Sequence, residues 1–247
     1  MLSRFFIDFH IHTALSPCAD NMMTPVNIVH AALEKELHMI AITDHNSAEN
    51  VEAVLEAAEG TGLYVIPGME VQTREEVHLV CLFPDIDRIM AWQELIYRVL
   101  PLEKNKESFF GEQWICDAKG MLERKNERLL MSSVLMTVEE TAETAKQMGG
   151  ICYPAHIDRP NYSIISNLGF IPHDSGFTAC ELSPWISAEA ALIKYPYLKK
   201  YALIGSSDAH QIEEINWARS EVHVNEPTFD EIKMALANIG DRKVVTV

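Results

Sequence analysis

The sequence predicts an α/β fold around a mainly parallel sheet, and its length fits a single α/β barrel. Short apolar segments typical of strands alternate with helical segments along most of the 247 residues. Side chains that can bind metal ions follow several predicted strands, at the carboxyl ends where barrel enzymes build their sites. We therefore expect one compact domain over residues 1–247.

Strands are predicted where short apolar runs lie between turn signals. The first run alternates Phe and Ile with acidic and imidazole side chains, and the last is expected to close the fold. The predicted strands are residues 5–12, 38–43, 63–67, 76–83, 150–155, 177–182, 202–206 and 243–247.

Helix starts between the first strands are marked by capping residues. Thr24 followed by Pro25 predicts a helix that runs to about Lys35, because proline is favoured at the first helical position. Ser47 is the predicted cap of a second helix that ends at Gly60.

Two later helices carry a stronger signal. Thr137 and Glu140 have capping-box spacing, and Gly149 ends the helix that they begin. Thr228 and Glu231 repeat that spacing near the carboxyl end. These boundaries complete the strand and helix alternation.

Residues 84–136 interrupt the alternation. The segment is long and charged, is predicted to be helical, and shows no strand signal. We expect an insertion at one rim of the barrel. It is either a solvated helical excursion or a lid that contributes to specificity.

The chain is strongly acidic, with 20 Lys and Arg against 36 Asp and Glu and a formal net charge of −16. An acidic surface disfavours broad contact with a nucleic-acid backbone, so we expect no extended nucleic-acid surface. A small anionic substrate remains compatible, because bound divalent ions can reverse the local potential.

Cysteine usage and hydropathy indicate the compartment. The five cysteines are scattered without zinc-ribbon or redox spacing, and we expect buried free thiols in a reducing compartment. No signal-peptide pattern and no membrane-spanning stretch is present, so a cytoplasmic protein without membrane contact is predicted. The four tryptophans are too dispersed to suggest a base-stacking platform, and the oligomeric state is left open.

The first strand is organised around a cation. Two-residue alternation places Asp8, His10 and His12 on one face, opposite Phe9 and Ile11. Two imidazoles on one face of a strand can reach a single site. Asp8 is predicted to hold one of them by its second ring nitrogen.

Further metal-binding side chains stand near other strand ends. Six imidazoles and three carboxylates, with no cysteine required, suit a multinuclear hydrolytic metal centre. The predicted ligands are His10, His12, Asp20, His45, Glu70, His78, His156, Asp208 and His210. His78 differs because it lies early in its own strand.

These residues stand in recognisable motifs. They are Asp-Phe-His-Ile-His-Thr, Ile-Thr-Asp-His-Asn-Ser, Gly-Met-Glu-Val, Val-His-Leu, Pro-Ala-His and Ser-Asp-Ala-His, in that order between residues 8 and 210. The set resembles the polymerase and histidinol phosphatase (PHP) family. The resemblance implies a distorted (β/α)7 TIM-like barrel, phosphoester hydrolysis, and two to three divalent ions, for which Zn²⁺, Mn²⁺ and Fe²⁺ all suit the ligands.

The resemblance also distributes the ligands. It assigns His10, His12, Glu70 and Asp208 to a first metal, Asp20, His45 and His210 to a second, and Glu70, His78 and His156 to a third. Asp20 departs from the family pattern, in which an Asp follows Ser more closely; here residues 17–19 separate it from Ser16. Asp44, like Asp8, is predicted to support ligands from behind.

Two cations that share a water can generate hydroxide for in-line attack on phosphorus. Asp208 is the predicted catalytic residue, which handles a proton of that nucleophile. Arg159 is predicted to bind a second phosphate of the substrate, although a salt bridge with Asp158 is equally compatible. Glu181 suits either a contact at the site or a purely structural role.

Small phosphomonoesters are the expected substrates: nucleoside mono- or bisphosphates, compounds like histidinol phosphate, or oligonucleotide ends. A barrel amidohydrolase is one alternative, but such enzymes usually add a bridging lysine at a strand end, which is missing here. A non-catalytic docking module is the other alternative. Lost ligand positions would mark it, whereas all nine are filled here.

Overall fold

The computed structural model describes residues 2–218 and 220–246, and over these residues strands and helices alternate. The strands are β1 Ser3–Ile11, β2 Met39–Ile42, β3 Tyr64–Gln72, β4 His78–Leu82, β5 Trp114–Cys116, β6 Leu122–Lys125, β7 Ile151–Pro154, β8 Ala179–Leu182, β9 Ala202–Gly205, β10 Ser220–Val224 and β11 Lys243–Thr246. The helices are α1 Pro25–Glu34, α2 Val51–Ala58, α3 Ile86–Val99, α4 Glu107–Phe110, α5 Val138–Gln147, α6 Ile164–Leu168, α7 Ala188–Lys194 and α8 Phe229–Leu236. None of the helices in this part of the chain is long and apolar enough to cross a membrane.

The main sheet is a curled half-barrel of seven strands in the described residues, in the order β11-β10-β1-β2-β3-β4-β7. The parallel pair β8 and β9 continues the wall. At one seam the Ile157 amide donates to the Glu181 carbonyl at 2.9 Å. At the other the Thr246 hydroxyl donates to the Leu203 carbonyl at 2.9 Å. The predicted α/β distorted barrel is confirmed.

The expectation of a mainly parallel sheet was wrong for two strands. β1, β2 and β3 are parallel, but β4 is antiparallel to both of its neighbours, and β10, absent from the predicted strands, is antiparallel to β1. Only residues 73–77 connect β3 to β4, which is too short for a parallel crossover. The start of β4 therefore lies at the carboxyl end of β3, and this places His78 beside the other predicted ligands.

Two apolar clusters hold the barrel together. The first lies inside the wall, because nearly every strand of the barrel contributes to it, and α8 adds Phe229 and Ile232. The second packs α1, α2, α3 and α5 against the strands. A register shift between Asp8 and Ile11 divides β1 between them, so that Phe9 joins the first cluster and Ile11 the second. The predicted strict alternation along β1 therefore fails at this shift.

The expectation that the segment 84–136 is helical and contains no strand was wrong. Besides α3 and α4 it contains the antiparallel hairpin β5–β6. The sequence Leu-Glu-Arg-Lys of β6 is largely exposed and charged, so it carries no apolar strand pattern. Buried Gln113 closes the base of the hairpin, donating to the carbonyls of Asn126 and Arg128 at 2.8 and 2.6 Å.

The capping predictions were confirmed for α5 and for α8, where the Thr228 side chain accepts from the Glu231 amide. Thr24 precedes α1 but makes no side-chain hydrogen bond to it. Helix α5 begins with a complete Thr137–Glu140 capping box, and Pro25 is the first residue of α1. Ser47 does not cap α2. Its hydroxyl contacts Gln93 and Tyr97 instead, and the helix starts at Val51.

Candidate metal centre

The carboxylate of Glu70, on β3, is the centre of the predicted site. Its side chain is buried, and five imidazoles approach its two oxygens within 3.5 Å. The nitrogen–oxygen distances are 3.3 Å for His10, 3.5 Å for His12, 2.9 Å for His45, 2.9 Å for His78 and 3.2 Å for His156. Residues that lie far apart in sequence therefore converge on one acidic group.

One group of ligand atoms has the dimensions of a tetrahedral metal site. His10 Nε2 and His12 Nε2 lie 3.2 Å apart, and each lies 3.0 to 3.3 Å from Asp208 Oδ1. Glu70 completes this buried set. Ligands about 2.0–2.1 Å from a tetrahedral Zn²⁺ lie about 3.3–3.4 Å apart, so the spacing fits one ion.

Two further groups share members with the first. His12, His45 and His210 bring one ligand atom each within 4.8 Å of the others, and His45, Glu70 and His78 do the same. His156 approaches the second of these groups through Glu70. Eight of the nine predicted ligands are therefore brought together.

Unpaired buried atoms support a cation at this place. His45 Nδ1 and His78 Nδ1 each lie 2.9 Å from a Glu70 oxygen, yet neither makes a hydrogen bond of acceptable geometry. His156 Nδ1 and Glu70 Oε2 also lack partners. Buried polar groups are rarely left without a hydrogen-bond partner. Atoms that lie close together without forming a hydrogen bond therefore indicate a position between them that a cation would occupy.

The ring tautomers point lone pairs into the site. His12 Nδ1 contacts Ser16 Oγ at 2.9 Å, and Ser16 Oγ donates to Asp44 at 2.6 Å, so that His12 is the donor in its own bond. Its Nε2 lone pair is left facing the group. Asp44 was predicted to support a ligand, and it contacts the His12 ring through Ser16.

Glu181 gives His10 the same support. Its carboxylate accepts from His10 Nδ1 at 2.9 Å and from the His156 amide at 3.1 Å. His210 Nδ1 lies 2.8 Å from the Asp208 carbonyl, which can only accept. In both rings Nε2 is therefore free for a cation.

The role expected for Asp8 is taken by Glu181. Asp8 Oδ1 accepts from the Ser207 amide at 3.0 Å, and its Oδ2 accepts from the Asn216 amide at 2.9 Å. The register shift in β1 turns Asp8 away from the face of His10. Burial raises its pKa to about 6. Asp8 thus anchors the loop that presents Asp208 and His210, rather than an imidazole.

Electrostatics holds the centre in a charged state. Burial opposes protonation of His10, but the carboxylates of Glu181, Asp208 and Glu70 outweigh it and raise the pKa of His10 well above its usual value. Burial likewise opposes ionisation of Glu70, yet the surrounding imidazoles lower its pKa well below the usual range. Protons and metal ions therefore compete for the same positions.

Two predicted ligands sit on strained backbone. His156 has φ 28° and Asp208 has φ 51°, in the left-handed region that side chains rarely adopt. Such conformations cost on the order of 1–3 kcal/mol each and cluster at functional sites. The surrounding hydrogen bonds hold both residues there.

Asp20 is not brought into the ligand groups. Its exposed carboxylate accepts from the Met22 amide at 2.7 Å and lies on the rim of a separate cavity beside His30. Cys18, two residues earlier, lies in the electrostatic neighbourhood of His45 and His210. Burial raises its pKa, but the two imidazoles outweigh this and lower the pKa of Cys18 to about 6. By accessible surface Cys18 is exposed and Cys152 is partly exposed, so the expectation that the cysteines are buried was wrong for these two.

Arg159 lies at the mouth of the site. Its Nη1 contacts Asp208 Oδ2 at 2.5 Å, so the alternative pairing with Asp158 is wrong. Asp158 instead accepts from the Ser183 amide at 2.8 Å. Arg159, Tyr162 and Met131 line a cavity of about 270 Å³ whose floor includes the predicted ligands.

Several residues that contribute to the site were not assigned a role from the sequence. Glu181 has no adjacent ligand motif, and Gln72, whose amide oxygen lies 3.1 Å from His78 Nε2, carried no signal. Trp185 and Trp217 were judged too dispersed for a platform. The structure brings their rings within 6.0 Å of each other, and both remain exposed.

The chain is similar to known proteins over the region that contains most of the predicted ligands. A family model described as PHP domain matches residues 8–164. The 5'-3' exoribonuclease Rnm of Salmonella typhimurium is 38% identical over 84 residues, which cover 32% of this chain and 28% of that protein. The uncharacterized protein YqxK of Bacillus subtilis is 24% identical over 262 residues, which cover 99% of this chain and 65% of that protein. The chain thus spans less than two thirds of these relatives.

The fold has a solved counterpart. The crystal structure of the lesion-specific endonuclease PfuEndoQ from Pyrococcus furiosus matches with a TM-score of 0.77 at 20% identity. The match covers 98% of this chain and 58% of that one. The similarity supports the distorted barrel as a whole, including β10 and the hairpin-bearing segment.

We expect Glu181→Gln to weaken Zn²⁺ binding about 10- to 100-fold, because the neutral amide no longer holds His10 as firmly. Competition with a chromophoric chelator measures the affinity. Glu34→Gln, on the exposed face of α1, is the matched control and should bind as the wild type does. Equal affinity of Glu181→Gln and wild type would contradict the supporting role.

Proposed function

Because this chain belongs to the PHP domain family, we propose that it is a metal-dependent phosphoesterase that hydrolyses phosphate esters of nucleotides or of nucleic-acid ends. The observation that carries the proposal is the set of three overlapping ligand groups around Glu70, at the floor of a cavity that Arg159 borders. The ligand chemistry, imidazole with carboxylate, suits Zn²⁺, Mn²⁺ or Fe²⁺.

Bound divalent ions would activate water and neutralise charge on the phosphoryl group. The groups proposed to hold them are His10, His12, Glu70 and Asp208 for one ion, His45 and His210 for a second, and Glu70, His78 and His156 for a third. The chain's own residues orient these ligands through Glu181, Ser16 and Gln72.

Asp208 is our proposed proton acceptor. Its Oδ1 faces His10 and His12, while its Oδ2 is turned towards Arg159 and the cavity. Burial opposes its ionisation, but His10 and His12 hold its pKa well below the usual range, so the carboxylate is ionised. A proton acceptor at Asp208 would leave the cavity beside it open for the reacting phosphate.

Arg159 is our proposed binding group for a second phosphate. Its side chain is one-third exposed, and its guanidinium is held at the cavity by Asp208. A planar fork of donors suits a phosphate bidentately. A substrate phosphate at the mouth would therefore meet this cation first.

A nucleotide substrate is supported by the Trp185–Trp217 pair. Trp185 follows β8, where its amide contacts Ser183 and Ser183 contacts Asp158, the neighbour of Arg159. Trp217 follows His210, and its amide donates to the carbonyl of Glu214, whose carboxylate accepts from the His210 amide. Both indoles thus stand on loops tied to the site, and exposed aromatic faces stack with bases of any sequence.

Related proteins act on nucleic acids. One is named an exoribonuclease, and Endonuclease Q has been solved with a 27-mer duplex substrate carrying an abasic lesion at its active site. The net charge of −16 disfavours a long polyanion along this surface. We therefore propose a short nucleic-acid substrate, or the end of a longer one, that binds to the metal centre and stacks on the two indoles.

Phosphate release by the metal-loaded protein tests the function. We expect release from mononucleotides, 3',5'-bisphosphates or 5'-phosphorylated oligonucleotides, loss of it after chelation, and recovery with Mn²⁺ or Zn²⁺. Asp208→Asn should lower kcat at least about 100-fold, whereas Asp87→Asn on the exposed face of α3 should leave it unchanged. Protein shown to hold its metals but inactive on every compound, histidinol phosphate included, would refute the proposal.

Arg159→Ala should raise KM about 10-fold or more for a nucleoside 3',5'-bisphosphate and far less for the monophosphate, because a charge-assisted contact to the second phosphate is lost. Arg159→Lys keeps the charge without the fork and should fall between the two. An equal rise for both substrates would mean that Arg159 only positions Asp208.

Replacing both Trp185 and Trp217 with Ala should raise KM for a short oligonucleotide about 10-fold or more, since stacking contributes about 1–3 kcal/mol per base. The KM of p-nitrophenyl phosphate, which has no base, should not change. Phe109→Ala removes an equally exposed aromatic ring from the insertion and is the control. The same KM for the oligonucleotide in the double variant would exclude the platform.

A further inference from the structure

Two cysteines lie opposite each other where β4 pairs with β7. Cys81 and Cys152 are register partners in this antiparallel pair, and the Cys81 thiol donates to Cys152 Sγ at 3.6 Å. Both are free thiols, and 71 positions separate them along the chain. The fold therefore brings two distant sulfur atoms into direct contact.

The two cysteines occupy a cross-strand position that a disulfide can span. The Ala155 amide donates to the His78 carbonyl at 3.0 Å, so these two residues form a hydrogen-bonded pair. Bonded and non-bonded pairs alternate along an antiparallel ladder, which makes Cys81 and Cys152, three pairs further on, a non-hydrogen-bonded pair. The Cα atoms of such partners lie about 4.5 Å apart, within the range of about 4.4–6.8 Å found in disulfides. Rotation of the two side chains, without separation of the strands, can therefore join the sulfur atoms.

The two thiols differ in their access to small molecules. Cys81 is fully buried among the apolar side chains that pack the helices against the strands. Burial raises the pKa of Cys81 well above its usual value, so this thiol stays protonated. Cys152 is partly exposed, and it lines a cavity of about 430 Å³ together with Lys146 of α5 and Lys233 of α8. A small oxidant in that cavity therefore meets Cys152 first, with Cys81 directly behind it.

The strand that carries Cys152 lies at one end of the main sheet. β7 is the last of the seven strands and pairs there with β4. Beyond β7 the wall continues to β8 through the bond from the Ile157 amide to the Glu181 carbonyl. β4 begins at His78 and β7 leads to His156, so this strand pair presents two predicted ligands. The segment between the two cysteines contains the whole insertion 84–136. A bond between the sulfur atoms would tether the edge strand and close that segment into a loop.

We propose that Cys81 and Cys152 are an oxidation site, at which a peroxide converts the two thiols into a cross-strand disulfide that tethers β7 to β4. With hydrogen peroxide, the Cys152 sulfur attacks one oxygen, the oxygen–oxygen bond breaks, and Cys152 sulfenic acid and water form. The Cys81 sulfur then attacks the sulfenic sulfur, the sulfur–oxygen bond breaks, and the leaving hydroxide takes the Cys81 proton to form a second water. The sulfur atoms lose two electrons in total, and the peroxide gains them.

Peroxide treatment of the full chain tests the site. Peptide mapping of the oxidised wild type should join Cys81 to Cys152, with a loss of about 2 Da from that pair of peptides, and dithiothreitol should reverse the change. Cys152→Ser should leave Cys81 unmodified, whereas the matched control Cys18→Ser, which removes an exposed thiol, should still form the bond. A sulfenic or sulfinic acid on Cys152 without a link to Cys81, or a bond between two chains, would overturn the proposal.

Stability of the oxidised protein provides the second readout. A disulfide that closes a loop of 71 positions should raise Tm by about 10 °C, because it restricts the unfolded chain. Amide hydrogen exchange of residues 151–153 should become slower, since a tethered edge strand opens less often. Cys152→Ser should show neither change after peroxide treatment. An unchanged Tm and unchanged exchange in protein shown to carry the bond would exclude the tether. Turnover enters neither readout, so the phosphoesterase proposal is tested separately.

Discussion

The buried carboxylate of Glu70 is the constraint on which the rest of the site depends. An ionised carboxylate without solvent contact costs several kcal/mol unless opposite charge surrounds it. Neutral imidazoles turn lone pairs towards it, since the Nδ1 hydrogens of His10 and His12 are donated elsewhere. Burial of the Glu70 carboxylate is favourable only when protons or metal cations lie between it and the imidazole nitrogens. The buried supports of Glu181, Ser16 and Gln72 act by keeping those lone pairs aimed.

Much of this arrangement follows from sequence because strand ends and ligand residues are adjacent along the chain. His45, His156 and Asp208 each come within three residues of the end of a strand, and parallel strands bring their carboxyl ends together. The family resemblance supplied the distorted barrel and phosphoester chemistry. The antiparallel direction of β4 was missed, although the predicted strands 63–67 and 76–83 left only residues 68–75 between them, which is too short for a parallel crossover.

The remainder depended on contacts between residues that no local pattern links. Glu181 is 171 positions from His10, and its identity as a support exists only in the folded barrel. The shift in β1 that separates Asp8 from the imidazoles arises from pairing with β2, and alternation alone could not reveal it. Trp185 and Trp217 likewise meet because two loops converge. The position of Asp20 outside the ligand groups likewise reflects a turn that packs against the distant residues Gly111 and His210.

The pairing of β1 with β10 has a consequence for how the molecule assembles. β1 spans residues 3–11 and its antiparallel partner spans 220–224, so one wall of the barrel joins segments that residues 12–219 separate. Contacts of such long sequence separation slow folding, because loop-closure entropy is lost before pairing compensates for it. During synthesis β1 emerges long before β10, and the edge of β1 that pairs with β10 stays unpaired until residues 12–219 have followed. Asp208 and His210 arrive in that same late segment, so the ligand set becomes complete only as the barrel closes.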